Sequence, residues 1–75
     1  MGTIVCCTAK TERQAELIRE GFRQLGYDDC FEERIGFHAF LMSLRLRTPS
    51  EKALIMETLQ GIGVVEIYTW QEQAA

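Results

Sequence analysis

The tetrapeptide Thr48-Pro49-Ser50-Glu51 constrains the fold more than any other stretch of the chain. Thr is a favoured helix N-cap, Pro fits the first helical position, and Glu three residues after the cap can reach back to it. Thr11-Glu12-Arg13-Gln14 has the same capping-box form, so two helix starts are marked. Behind the first, Ala15, Ile18, Phe22 and Leu25 recur at helical spacing. Glu12, Glu16, Arg19, Glu20 and Arg23 fill the other face, where Glu16 with Arg19 and Glu20 with Arg23 form i,i+3 pairs. Gly26 supplies the stop. Behind the second start, Ala53, Ile55, Met56 and Leu59 point to a core, and Gly61 or Gly63 ends the helix.

The remaining segments read as strands. Thr3-Ile4-Val5-Cys6-Cys7-Thr8 is a short apolar, β-branched run of the kind buried on both sides. Residues 27–35 alternate poorly and carry four acids, which suggests an edge strand. Phe37 to Arg47 is the clearest strand. Phe40, Met42, Leu44 and Leu46 share one face; Ala39, Leu41, Ser43, Arg45 and Arg47 share the other. The short connection through Gly36 makes these two strands an antiparallel hairpin. Val64 to Trp70 is the last strand, and Gln71 to Ala75 is expected to form a short tail.

The element order is therefore β-α-β-β-α-β within residues 1–70, in one domain with no linker or repeat. Two right-handed crossovers around a central hairpin give a four-stranded antiparallel sheet with both helices on one face. In element order the chain resembles the α+β ferredoxin-like plait over almost its whole length. That resemblance implies the strand order 4-1-3-2, with the second and fourth strands at the edges. It implies no function, since this fold hosts many.

At 75 residues the chain has room for one small core, and oligomerisation is a common supplement at this size. A hydrophobic fraction of 47% and a net charge of only −3 exclude an intrinsically disordered chain. The mild acidity also argues against a general nucleic-acid binder. No apolar run is long enough to cross a membrane. The start, Met1-Gly2-Thr3-Ile4, has no basic region ahead of an apolar stretch, so no secretory signal is expected. Three cysteines, two of them adjacent, do not make a disulfide framework. A reducing compartment, the cytoplasm, is the expectation.

Catalytic and metal chemistry find little to work with. Adjacent Cys6 and Cys7 point to opposite faces of a strand and cannot both ligate one ion, and His38 with Cys30 falls short of a zinc set. No metal or cofactor is expected. Cys-His chemistry needs a thiol in an electropositive niche, for which the sequence gives no sign. Gly61-Ile62-Gly63 lacks the third Gly and the following helix of a phosphate loop. An enzyme is therefore not expected. Gly36-Phe37-His38-Ala39-Phe40-Leu41 faintly resembles the third-strand signature of RNA-binding plaits. Aligned on Ala39-Phe40-Leu41, however, it puts Phe37 where Gly belongs, and the first strand has no aromatic residue.

Interaction surfaces remain. Net charge runs +1 over residues 1–26, −3 over 27–36, +2 over 37–50 and −3 over 51–75. Asp28, Asp29, Glu32 and Glu33 concentrate the acid, with Tyr27 and Phe31 interleaved as aromatic anchors. This stretch reads either as a protected edge or as a strip that docks on a basic surface of a partner protein. Such surfaces are often nucleic-acid sites, the targets of small acidic inhibitors of the kind phages encode. On the last strand, Tyr68 and Trp70 share a face and mark a second surface, for a dimer or a ligand. The expected function is thus a non-enzymatic interaction module, an acidic regulator or inhibitor. The alternatives are a homodimeric small-ligand sensor and a weak RNA-binding plait using Arg45 and Arg47 beside Lys10 and Arg13.

Overall fold

A computed structural model describes residues 2–37 and 39–71 of the chain. His38 and the expected tail, save Gln71, lie outside the described residues. The elements follow the order β1 (Thr3–Ala9), α1 (Glu12–Gln24), β2 (Phe31–Arg34), β3 (Phe40–Arg45), α2 (Lys52–Ile62) and β4 (Ile67–Gln71). A 3₁₀ turn, Pro49–Glu51, leads into α2. All neighbouring strands are antiparallel, in the order β2-β3-β1-β4. This is the ferredoxin-like plait, with β2 and β4 at its edges. No described helix is long and apolar enough to cross a membrane.

The core lies between the sheet and the two helices. Val5, Cys7 and Ala9 from β1 meet Met42 and Leu44 from β3, Ala15, Ile18 and Phe22 from α1, and Ile55 and Leu59 from α2. The stripe expected on α1 is the buried one, with Leu25 half-buried at its end. On α2, Ala53 is exposed instead of buried, and Met56 is half-buried. Ala53 lies within α2, about 200° around the helix from Ile55 at 3.6 residues per turn, so the face that buries Ile55 and Leu59 turns it outward.

Both caps differ in detail from the expected boxes. Thr11 Oγ1 accepts from Gln14 N–H at 3.0 Å, but Gln14 Oε1 reaches past the cap to Lys10 N–H at 2.8 Å. Thr48 has the extended backbone of an N-cap, yet its hydroxyl lies 2.9 Å from that of Ser50 and makes no cap bond. The Glu51 carboxylate keeps a hydrogen bond from the Thr48 backbone and also binds Arg47 and Tyr27.

The helix ends repeat one device. Gly26, at φ 91°, sends its N–H to Arg23 C=O, and Tyr27 N–H returns to Phe22 C=O at 2.9 Å. Gly63, at φ 98°, does the same with Gln60 C=O, and Val64 N–H returns to Leu59 C=O at 3.0 Å. A left-handed glycine followed by a buried apolar residue is the Schellman ending. Tyr27 and Val64 are accordingly buried. Tyr27 thus belongs to the end of α1, and the second strand is Phe31–Arg34, shorter than the 27–35 expected.

The third strand is also shorter, Phe40–Arg45 against the expected Phe37–Arg47. Ile35 N–H closes the hairpin on Ala39 C=O at 3.0 Å. Arg34 ties down the turn by donating to Gly36 C=O at 3.0 Å and to Phe37 C=O. Phe37 is left almost fully exposed there.

Candidate protein-docking face

Strand alternation divides the sheet into two faces. Since Val5, Cys7, Met42 and Leu44 face the helices, Ile4, Cys6, Thr8, Leu41, Ser43 and Arg45 lie on the open side. Register then places the edge residues. Phe31 stands opposite Ser43, Ser43 opposite Cys6, and Cys6 opposite Tyr68, one row across all four strands. On one side runs the row Arg45, Ile4, Trp70; on the other runs Glu33, Leu41, Thr8. Ile4, beside Trp70, and Leu41, between Glu33 and Thr8, are half-buried on this face, and Cys6 is buried at the centre. Phe31, Tyr68 and Trp70 are 57%, 58% and 49% exposed. Beside Phe31 lies a shallow hollow of about 280 Å³, lined by Ile4, Asp29, Phe31, Ser43, Leu44 and Arg45.

The acidic stretch does not form one strip. Glu33 and Phe31 lie on the open face, and Asp29 lines the hollow next to them. Glu32 alternates to the helix side, where Arg19 of α1 grips its carboxylate with two N–H groups at 2.8 and 3.1 Å. Arg19 therefore pairs across to β2 and not with Glu16, as helical spacing suggested; Glu16 lies 3.7 Å from Arg13. Glu20 and Arg23 are paired as expected. Asp28 borders a groove of about 470 Å³ between α1 and β2, together with Glu16, Glu20 and Glu32.

Tyr27 is corrected most sharply. Expected as an exposed anchor, it is only 4% exposed. Its hydroxyl donates to Glu51 at 2.6 Å and accepts from Arg47 N–H at 3.2 Å. The Arg47 guanidinium lies over its ring, 4.3 Å from the centroid, and donates to Leu25 C=O at 2.9 Å. These bonds hold Glu51 below its ordinary carboxylate pKa, with the Arg47 side chain the main cause. Arg47 is committed to this junction. Phe40 likewise packs against the core, so the central aromatic residue of the fragment that faintly resembles an RNA-binding strand is turned away from the open face.

The three cysteines are free thiols. Burial raises all of them, Cys7 to about 12 and Cys30 to about 11. A thiol so raised stays protonated at neutral pH, the form suited to packing. Among the described residues no three His, Cys, Asp or Glu side chains converge as a metal set.

No protein-family model and no curated protein matches this chain by sequence. The sequence marks Phe31 with Glu33 and Tyr68 with Trp70 as two separate surfaces, and the strand register joins them on one face. Ile4 and Leu41 were missed as members of it. The available signal was the alternation of β1 and β3, which sets Ile4 and Leu41 opposite the core positions.

Proposed function

We propose that this domain is a non-catalytic protein-interaction module that docks through its open sheet face onto a partner protein bearing basic side chains. One observation carries the reading. Phe31, Tyr68 and Trp70 stand half-exposed on a face that also holds Ile4 and Leu41, opposite the helices. Aromatic anchors set among apolar neighbours are the usual centre of a protein interface. Asp29 and Glu33 lie beside Phe31, and the chain carries a net charge of −3, so encounter with a basic partner is favoured.

The placement of the aromatics supports protein over RNA. Plaits that stack bases use the central strands. Here the exposed aromatics are on the edge strands, and β1 and β3 present Ile4, Cys6, Leu41 and Ser43.

Affinity capture on tagged variants tests this. The wild-type chain and a helix-side control, Glu20→Lys, should retain the same basic protein after nuclease treatment. Phe31→Ser combined with Glu33→Lys should lose it. Capture that survives those changes, or that vanishes with nuclease, overturns the reading.

A further inference from the structure

The two edges of the sheet are unlike. β2 is four residues, Phe-Glu-Glu-Arg, and a two-fold axis through either middle residue would set an acid against its own copy. Edges of this kind resist pairing. β4 is Ile-Tyr-Thr-Trp-Gln, five residues with no charge, no Pro and strong β propensity. Nothing in its composition protects it.

Its outward backbone can be assigned. Thr8 N–H donates to Glu66 C=O at 3.2 Å, which sets the phase of the β1–β4 ladder. In an antiparallel pair, alternate residues turn both N–H and C=O to the neighbour. Tyr68 and Trp70, in step with Glu66, therefore bond to β1, opposite Cys6 and Ile4. Ile67, Thr69 and Gln71 turn theirs away from the sheet.

We propose that β4 pairs antiparallel with β4 of a second copy of this chain, joining two sheets into one of eight strands. Full overlap of Ile67–Gln71 places the two-fold axis at Thr69. Thr69 then faces its own copy, and Ile67 faces Gln71 of the partner, so all three outward residues find backbone partners. On the open face, Tyr68 stands opposite the partner's Trp70 and Trp70 opposite the partner's Tyr68. Aromatic cross-strand pairs of this kind stabilise sheets. No like charges meet within the overlap. The pairing also makes the two open faces continuous, doubling the surface offered to a partner. It is independent of the docking reading and fails separately from it.

Sedimentation equilibrium of the full chain tests the proposal. The wild type should dimerise reversibly at micromolar concentration. Thr69→Pro removes an outward N–H that β1 does not use, and should weaken dimerisation at least tenfold with an unchanged circular dichroism spectrum. Should that variant fail to fold, Tyr68→Lys/Trp70→Lys alters only exposed side chains and sets like charges opposite one another, and it should be monomeric. Phe31→Ser, at the far edge of the face, should remain dimeric. A monomeric wild type overturns the proposal. So does a folded Thr69→Pro or Tyr68→Lys/Trp70→Lys chain that still dimerises, and so does loss of the dimer in Phe31→Ser.

Discussion

The guanidinium of Arg47 lies 4.3 Å above the ring of Tyr27, and both side chains bond the same carboxylate, that of Glu51. Arg47 follows β3, Tyr27 closes α1, and Glu51 opens α2, so one cluster fastens three elements. Arg47 donates to Glu51 through Nε at 3.2 Å and Nη2 at 2.8 Å, the two-pronged geometry that makes such pairs strong. Tyr27→Phe keeps the ring and removes the hydroxyl, leaving Arg47 N–H and Glu51 each one partner short. It should cost about 1–2 kcal/mol in urea unfolding with an unchanged m-value.

Gly26 supports the same cluster from below. Its φ of 91° disfavours any side chain, and a Cβ there would come within 3.2 Å of Arg47 Nη1. Gly26→Ala should therefore destabilise by about 1–3 kcal/mol. Gly61→Ala is the control, since a Cβ there meets nothing within 4 Å and its φ is not positive. In a helix Ala is favoured over Gly, so the control should be neutral or stabilising.

The Glu51 pKa is lowered in the folded chain, so the folded state binds fewer protons than the unfolded one through the acid range. This contribution is fully present above the ordinary Glu pKa and is lost as pH falls through the lowered value. Urea midpoints measured from neutral pH downward should decline more steeply for the wild type than for Glu51→Gln.

The thiols work in the opposite direction. Their pKa values are raised, so folding favours the protonated form, and stability falls as pH climbs above the ordinary value of 9.0 toward about 12 for Cys7. At pH 8, Cys7, which is 1% exposed, should react with a thiol reagent only on unfolding. Cys7→Ala should cost about 1–2 kcal/mol at neutral pH and flatten the alkaline limb.

Glu32 and Glu33 are neighbours in sequence with opposite assignments. Glu32 is held by Arg19 in a partly exposed ion pair, so Glu32→Gln should cost less than about 1 kcal/mol and leave partner capture intact. Glu33→Lys should leave stability unchanged and weaken capture.

Much of this architecture is legible in the chain itself. The apolar stripe of α1, the alternation from Phe40 to Leu46 and the two helix starts suffice for the plait and its strand order. The extent of the second strand was not legible, because Tyr27 looks like an aromatic in a strand. Gly26 followed by an apolar residue is the Schellman signature, and weighing Gly26 together with Tyr27 would have placed Tyr27 in the core. The acidic cluster misled for a related reason. Adjacent acids look like one patch in sequence, whereas strand alternation sends Glu32 and Glu33 to opposite faces. The open face itself is assembled from four separate strands, and its membership depends on register that no local stretch encodes.

The most direct test of the docking face is site-specific photo-crosslinking. A benzophenone side chain at position 31, on the open face, should crosslink to a discrete basic protein, and the same probe at position 20, on the outer face of α1, should not. Crosslinks from position 20 with none from position 31 would contradict the assignment of the open sheet face as the docking surface.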